Sequence, residues 1–238
     1  MKIYKIGIIG CGGIAQKMAA TLEKMKGVER YAVASRNQEK AEAFANKWGF
    51  TKAYGSYEEL ASDPEVDLIY IATPHAMHYD NAHMCIEKGK PVLCEKAFTA
   101  NARQAEDLLA FAKEKGVFIT EAIWTRYMPL SLKIQELLKE GVIGTPYTLS
   151  ANLSYPISNK ERIIRPELAG GALLDIGVYT LNFAVMAFGS DIAETHSVCQ
   201  KTQTGVDAQE SITLFYNCLL YTSPSARDLS TSRMPSSA

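Results

Sequence analysis

Short apolar runs alternate with helical repeats from the start of the chain to about residue 121. Such runs are typical of buried parallel strands, and apolar residues recurring every three or four positions predict amphipathic helices. The predicted strands cover residues 3–9, 31–34, 67–72, 91–95 and 117–121. The predicted helices cover residues 14–25, 38–48, 77–87 and 102–115. This βαβα order predicts an α/β domain built on a doubly wound, parallel Rossmann sheet.

The pattern changes after Glu121. Predicted helices cover residues 130–139 and 172–187, and predicted strands cover 147–155, 194–202 and 210–216. The first of these strands alternates polar and apolar residues, as a half-exposed strand does. Strands that follow one another without helices favour an antiparallel sheet. We therefore predict a second, α+β domain with a mostly antiparallel, open sheet.

The last 21 residues fit neither domain. Residues 218–238 are rich in Ser, Thr and Pro and have no hydrophobic period, which predicts a disordered tail. The segment also resembles the translated adaptor sequence found at the ends of truncated reading frames. We expect it to be non-native, and the second sheet to be incomplete beyond Tyr216. The predicted domains are 1–122, 123–217 and the tail 218–238.

Composition argues against several classes of function. The formal net charge is −1, so no excess of charge predicts a nucleic-acid or membrane-surface partner. The five cysteines lack CxxC spacing, which argues against a disulfide framework or a zinc site. No apolar run approaches the roughly 18 residues that span a membrane. The first predicted strand begins too close to Met1 to leave room for a signal peptide, so we expect a cytoplasmic protein.

A glycine-rich loop joins the first predicted strand to the first predicted helix. Gly10 permits a tight turn, Gly12 leaves room for a pyrophosphate, and Ala15 allows close packing of helix on strand. The helix amino terminus offers free amides to the anion. A plain strand-to-helix turn is the alternative, but the strand before and the helix after favour a dinucleotide site. Its predicted contact residues are Gly10, Gly12, Gly13, Ile14 and Ala15.

The end of the second predicted strand indicates which dinucleotide binds. NAD sites usually place a carboxylate there to hold the ribose hydroxyls, whereas this chain has Ser35 and Arg36. Arg36 can pair with a 2′-phosphate and Ser35 can donate a hydrogen bond to it. The alternative is that Arg36 is only a solvated loop cation. We predict NADP as the cofactor, in preference to NAD.

Several loops carry the chemistry expected at the carboxyl ends of the strands. The motifs of three such loops are Ala72-Thr73-Pro74-His75 with His78, Cys94-Glu95-Lys96-Ala97, and Glu121-Ala122-Ile123-Trp124-Thr125-Arg126. A fourth candidate lies in the second predicted domain, Gly170-Gly171-Ala172-Leu173-Leu174-Asp175-Ile176-Gly177-Val178-Tyr179. With the glycine-rich loop, these stretches resemble the Gfo/Idh/MocA oxidoreductase family over essentially residues 2–216. Ala97 and Tyr179 depart from the wider family, which has Pro and His there. They favour the branch of dimeric dihydrodiol dehydrogenases and NADP-dependent D-xylose dehydrogenases.

The resemblance implies roles for the domains and for individual residues. The first domain would bind NADP, and the second would bind substrate and form a homodimer in the full-length protein. Residues from the loops after the strands would join the cofactor site, with the two histidines lining the nicotinamide pocket: Thr73, Pro74, His75, His78, Glu95 and Lys96. Trp124 and Arg126 would wall the substrate site, although packing between the domains is an equal alternative for both.

Alcohol oxidation needs a hydride acceptor and a base for the hydroxyl proton. Asp175 and Tyr179 are four residues apart, so on a helix they share one face. An ammonium beside a phenol favours the phenolate, so we predict that Lys96 lowers the pKa of Tyr179. Tyr179 would accept the proton, Lys96 would orient the substrate oxygen, and Asp175 would anchor substrate or lysine. The alternatives are a surface lysine and a core or interface aromatic.

Three histidines and an aspartate lie close together in sequence after the predicted strand 67–72. They are His75, His78, Asp80 and His83. Their spacing matches no metal motif, so we predict no metal. The leading hypothesis is an NADP-dependent enzyme that transfers hydride between the nicotinamide and a hydroxyl of a sugar aldose or trans-dihydrodiol. A non-enzymatic NADP-binding regulator, or an inactive fragment of such an enzyme, is the alternative.

Overall fold

The computed structural model describes residues 2–157 and 160–217. The tail predicted over 218–238 lies outside these residues. The first part of the chain forms a sheet of six strands whose neighbours all pair in parallel. The strands are β1 Tyr4–Ile9, β2 Val28–Ala34, β3 Lys52–Tyr54, β4 Leu68–Ile71, β5 Val92–Cys94 and β6 Ile119–Glu121. Their order is β3-β2-β1-β4-β5-β6, so the direction of winding reverses between β1 and β4. Ligands of such sheets bind at this reversal, beyond the carboxyl ends of the strands.

Five helices cover the two faces of this sheet. They are α1 Gly13–Lys24, α2 Gln38–Trp48, α3 Tyr57–Ser62, α4 His78–Glu87 and α5 Ala102–Lys115. The bounds predicted for α2 and α5 match the structure residue for residue. Both helices carry clear terminal signals, because Asn37 and Asn101 each accept a backbone amide at the amino end. Gly49 and Gly116 end the same helices in the left-handed conformation.

The core of this domain consists of two apolar clusters, one on each face of the sheet. Alternate residues of a strand point to opposite faces, so Ile8 belongs to one cluster and Ile9 to the other. Both side chains are fully buried. The predicted Rossmann domain is therefore confirmed, although the short β3 and α3 were not predicted.

The second part of the chain is built from helices and one antiparallel pair of strands. Its elements are α6 Pro129–Lys139, α7 Glu161–Ile164, a π-helical turn Leu173–Gly177, α8 Val178–Phe188, β7 Ile192–Lys201 and β8 Asp207–Tyr216. The predicted helices and the last two predicted strands are present, and the pair is antiparallel as expected. The strand predicted over 147–155 is wrong, because the backbone there forms no ladder. Alternation of polar and apolar side chains does not show whether a partner strand is present. Among the described residues, β7 and β8 pair only with each other, so neither pairs with residues 147–155.

The helical stretch Pro166–Phe188 is unusually apolar. The stretch has 23 residues, and an 18-residue window within it has a mean hydropathy of 1.5, enough by length and composition to cross a membrane. The expectation that no run approaches this length was therefore wrong. One such helix is weak evidence for a membrane span, since core helices of water-soluble proteins pass the same test. Within the stretch, Asp175 is buried and paired with Lys96 and Arg162.

Candidate active site

The loop between β1 and α1 has the geometry of a phosphate cradle. Gly10 lies at φ +100°, and a Cβ there would approach the Ala72 carbonyl oxygen to 2.9 Å. A Cβ on Gly12, in contrast, would meet nothing within 4 Å. The first bond at this end of the helix joins the Gln16 amide to the Gly12 carbonyl. The amides of residues 13–15 therefore face out of the first turn, where an anion can accept from them.

Ser35 and Arg36 directly follow β2, whose last residue, Ala34, accepts the Gly10 amide of this loop. Arg36 is exposed, and the Ser35 hydroxyl oxygen accepts the Asn37 amide at 3.3 Å. Burial raises the pKa of the Tyr57 hydroxyl, and the nearby Arg36 opposes this increase. Ser35 likewise opposes the increase that burial causes in the pKa of the Cys11 thiol. Serine, arginine and tyrosine side chains thus meet at one end of the phosphate loop, and they are all able to donate hydrogen bonds to a phosphate.

The loop after β4 is held by buried polar contacts. His78 is fully buried, and its Nδ1 and Nε2 lie 2.7 Å and 2.9 Å from the carbonyl oxygens of Ala97 and Thr73. Its buried side chain therefore joins the loops after β4 and β5 through their backbone carbonyls. This corrects the prediction that His78 lines the nicotinamide pocket. His75 is 8% exposed and contacts the Ala169 carbonyl at 3.1 Å, so it connects the two parts of the chain. Burial lowers the pKa of His75 to about 4.

The other predicted residues near this loop have structural partners. The hydroxyl of Thr73 accepts from Asn81 at 3.1 Å, and Pro74 begins the short turn that precedes α4. His83 stacks on Phe111, with 4.1 Å between ring centroids. Among the described residues, no group of three or more His, Cys, Asp or Glu side chains could hold a metal ion.

Glu95 and Lys96 leave the carboxyl end of β5. The Glu95 carboxylate is buried and accepts the hydroxyl of Tyr70, and its burial raises its pKa. Glu121, at the end of β6, accepts the Phe98 amide at 2.9 Å and its pKa is also raised by burial. These bonds fix the backbone on both sides of Lys96. The Lys96 side chain is then free to point across the cleft toward the second domain.

Lys96 reaches Asp175 in the π-helical turn before α8. Its Nζ lies 2.5 Å from the Asp175 carbonyl oxygen and 3.1 Å from Oδ1. Arg162, on α7, donates to the same Oδ1 at 2.8 Å. Burial favours a raised pKa for Asp175, but Arg162 and Lys96 outweigh burial and hold this pKa below its usual value. Asp175 is therefore ionised at neutral pH and bound to two cations.

Tyr179 follows Asp175 by one helical turn, and Lys96 contacts its ring face rather than its hydroxyl. The Lys96 Nζ lies 5.1 Å from the ring centroid, a cation–π distance. The hydroxyl instead accepts the Trp124 indole N–H at 3.1 Å. The prediction that Lys96 lowers the pKa of Tyr179 is wrong in this arrangement, because burial raises that pKa and Trp124 only partly offsets the increase. Tyr179 is therefore a protonated phenol at neutral pH.

A small pocket opens beside Tyr179, between the segment after β6 and α8. Its volume is about 170 Å³, and it is lined by Thr125, Arg126, Ser131, Tyr179, Asn182, Phe183 and Met186. Arg126 lies 3.4 Å from the amide oxygen of Asn182, a neutral partner. The lining thus combines polar and apolar side chains, as small-molecule sites do.

The structure brings Lys96, Asp175 and Tyr179 together as predicted, and places Trp124 and Arg126 next to them. Sequence reasoning missed Arg162. It stands in a charged stretch, Lys160-Glu161-Arg162, in which nothing distinguishes one cation from a solvated surface residue.

Two family models match the chain in succession. Residues 4–122 match the model described as "Oxidoreductase family, NAD-binding Rossmann fold", and residues 131–222 match the "GFO/IDH/MocA C-terminal domain". The resemblance drawn from the motifs is confirmed by these matches.

Two curated proteins illustrate the similarity. Trans-1,2-dihydrobenzene-1,2-diol dehydrogenase of Xenopus tropicalis is 40% identical over 218 residues, which cover 90% of this chain and 66% of that protein. D-xylose 1-dehydrogenase (NADP(+)) of Hypocrea jecorina is 44% identical over 201 residues, which cover 75% of this chain and 51% of that protein. The chain thus spans between half and two thirds of the length of these relatives.

Solved structures show the same fold. A 3-ketoreductase from Actinomadura kijaniata, in complex with NADP and TDP-benzene, superposes with a TM-score of 0.82 at 29% identity. The match covers 92% of this chain and 68% of that one. An NAD-binding oxidoreductase from Klebsiella pneumoniae gives 0.78 at 28% identity, and covers 91% of this chain and 64% of its own.

Proposed function

Because this chain belongs to the Gfo/Idh/MocA oxidoreductase family, we propose that its site transfers hydride between NADP and a hydroxyl-bearing small molecule. The observation that carries the proposal is the group formed by Lys96, Asp175 and Tyr179. It lies at the carboxyl end of β5, two strands along the sheet from the phosphate loop after β1. The bound nicotinamide would accept or donate the hydride.

The protein's own side chains transfer the proton. Tyr179, protonated at neutral pH, donates its proton to a carbonyl oxygen when substrate is reduced, and its phenolate accepts a hydroxyl proton when substrate is oxidised. Lys96, held by Asp175, presents an ammonium that stabilises negative charge on the same oxygen. Oxidation should therefore become faster as pH rises toward the elevated pKa of Tyr179, while reduction should become slower.

The surroundings of Tyr179 suit a polyhydroxylated or cyclic diol substrate. Arg126 and Asn182 can hold a second hydroxyl, and Phe183 and Met186 can cover a carbon face. The named substrates of the two relatives, a cyclic diol and a sugar, share hydroxyl groups on adjacent carbons. We propose a sugar aldose or a trans-dihydrodiol, with the full-length protein acting as a homodimer.

The experiment is a spectrophotometric assay of NADP reduction at several pH values with D-xylose, hexoses and cyclic trans-diols. Lys96→Met and Tyr179→Phe should each lower kcat by about 10²- to 10⁴-fold, because each removes a group that acts on the reacting oxygen. Lys113→Met, on the outer side of α5, is the matched control and should leave the rate unchanged. Unchanged rates in both site variants would remove the two residues from the mechanism. NADP binding without turnover of any substrate would favour the non-enzymatic regulator.

The preference for NADP is tested at Arg36. Replacing Arg36 with leucine should weaken NADP binding by about tenfold or more, since a charge-assisted contact with phosphate is lost, and should leave NAD binding nearly unchanged. Lys26→Met, also an exposed cation, serves as the control. Equal losses for both cofactors would contradict a 2′-phosphate contact.

A further inference from the structure

Arg162 is a cation of the candidate site that does not come from a recognised motif. Its guanidinium donates to Oδ1 of Asp175 at 2.8 Å, and Lys96 contacts the same oxygen at 3.1 Å. The Asp175 side chain is 5% exposed, whereas those of Lys96 and Arg162 are 14% and 42% exposed. A buried carboxylate oxygen thus bridges a cation on the cofactor side and a cation near the surface.

Arg162 is held in place by backbone contacts around it. The Gly171 amide donates to the carbonyl of Ile163, the residue after Arg162, at 2.8 Å. A Cβ at Gly170 would come within 2.4 Å of the same carbonyl oxygen, so only glycine permits this approach. These contacts hold the end of α7 against the segment that leads into the turn with Asp175, so the Arg162 side chain starts within reach of the carboxylate.

We propose that Arg162 is a positioning residue, which keeps the Asp175 carboxylate ionised and turned toward Lys96 during catalysis. The inference rests on the proposed function for its catalytic meaning, but the electrostatic coupling can be measured without turnover. Removal of one partner from a buried, hydrogen-bonded carboxylate leaves its charge undercompensated. Lys96 then holds a carboxylate that is more easily protonated and freer to rotate.

The surrounding charges decide the sign of the expected pH effect. Lys96 from the β5 loop and Arg162 from α7 are the cations that contact Asp175. The other titratable groups around the turn are Tyr179 from α8, His75 from the β4 loop, and Asp207 and Glu210 from β8. His75 and Tyr179 are neutral at pH 7, so the two cations dominate. Loss of Arg162 raises the pKa of Asp175, and activity that needs the carboxylate is lost at a higher pH on the acid side.

The test compares Arg162→Met, Arg162→Lys and Arg165→Met. Arg165 is the matched control, since it pairs with Glu161 and Glu167 at the surface and does not contact Asp175. Arg162→Met should move the acid limb of kcat/KM upward by about one pH unit and lower kcat by about 10- to 100-fold. The KM for NADP should not change. Arg162→Lys should restore most of the loss, and Arg165→Met should behave as the wild type.

A direct titration separates this inference from the proposed function. The carboxyl carbon of Asp175, followed by ¹³C NMR against an Asp175→Asn spectrum, should titrate at higher pH in Arg162→Met than in the wild type. A shifted titration in a protein without turnover would uphold the positioning role and sink the proposed reaction. An active Arg162→Met variant whose titration and acid limb coincide with those of the wild type would overturn the inference. Should Arg162→Met fail to fold, Arg162→Gln gives the same comparison with a neutral hydrogen-bond donor.

Discussion

The two parts of the chain use apolar helices in different ways. In the parallel-sheet domain, Leu108 of α5 is completely buried, as are Ala15 and Ala19 of α1. In the second part, α8 has no fully buried side chain, although almost every one of its residues is apolar. Leu132 of α6 is 54% exposed. An apolar pattern therefore predicts that a helix forms, whereas burial depends on a second surface that faces it.

The same difference extends to the candidate site. In the first domain, backbone geometry at Gly10 and Gly12 shapes the phosphate loop before any ligand arrives. In the second, side chains reach across the cleft, and the contacts are His75 with Ala169, Lys96 with Asp175 and Trp124 with Tyr179. The phosphate loop thus belongs to a domain with a packed core. The group formed by Lys96, Asp175 and Tyr179 depends instead on a few polar contacts between the two domains.

The sharpest test of this contrast compares two leucines. Leu108→Ala empties a fully buried position and should lower the free energy of unfolding by about 2–5 kcal/mol. Leu132→Ala removes the same atoms from an exposed helix face and should cost less than about 0.5 kcal/mol. Urea unfolding followed by far-UV circular dichroism measures both. Equal losses would mean that α6 packs as tightly as α5, and the contrast between the two parts would be lost.

Two glycines extend the comparison to the site itself. Gly171 lies at φ +113°, and a Cβ there would come within 2.0 Å of the Asp207 carboxylate, which accepts the Leu173 amide. Gly171→Ala should therefore cost about 2–3 kcal/mol through backbone strain and loss of this cap. Gly12→Ala meets open space, so stability should stay within about 0.5 kcal/mol.

Cofactor binding should respond in the opposite order. Gly12→Ala places a methyl group where the pyrophosphate approaches, and should weaken NADP binding by about tenfold or more. Gly171→Ala should leave that binding nearly intact, because it changes the second domain. Isothermal calorimetry with NADP measures both, and a stable Gly12→Ala protein that binds NADP normally would show that the pyrophosphate lies elsewhere.

These contrasts also explain what the sequence could and could not predict. Helices α2 and α5 were predicted to the residue because Asn37, Gly49, Asn101 and Gly116 mark their ends locally. The three-residue β3 was missed because Lys52-Ala53-Tyr54 forms no apolar run, whereas the equally short β5 and β6 lie within predicted apolar runs. The strand predicted over 147–155 was wrong because strand formation needs a partner that local alternation does not reveal.

Within the site, sequence spacing placed Asp175 and Tyr179 on one side of a helix but not their partners. The hydroxyl of Tyr179 was expected beside the Lys96 ammonium. In the structure the hydroxyl accepts a hydrogen bond from Trp124, and the ammonium donates to Asp175. Arg162 comes from a separate short helix, 13 residues before Asp175 along the chain, and only the folded arrangement brings the two together. Such long-range choices between polar partners are decided by packing, which one sequence does not specify.

The smallest predicted effect concerns a carboxyl pair next to Gly171. Burial, followed by the charge of Asp207, raises the pKa of Glu210 to about 7 from an ordinary value of 4.5. Because the folded protein binds this proton more tightly than the unfolded chain, the stabilisation is complete below about pH 4.5 and is lost as pH rises through 7. Glu210 is partly exposed, so solvent screening limits the effect to about 1 kcal/mol.

Glu210→Gln keeps the shape of the side chain and removes its titration. Its stability between pH 5 and 8 should therefore fall less than that of the wild type, by about 1 kcal/mol at pH 8. Glu106→Gln, on the exposed side of α5, is the matched control and should follow the wild type at every pH. Thermal unfolding at pH 5, 6, 7 and 8 gives the comparison. Parallel curves for the wild type and Glu210→Gln would mean that Asp207 caps the turn before α8 without sharing a proton, and would leave the second domain without a pH-dependent contact at that position.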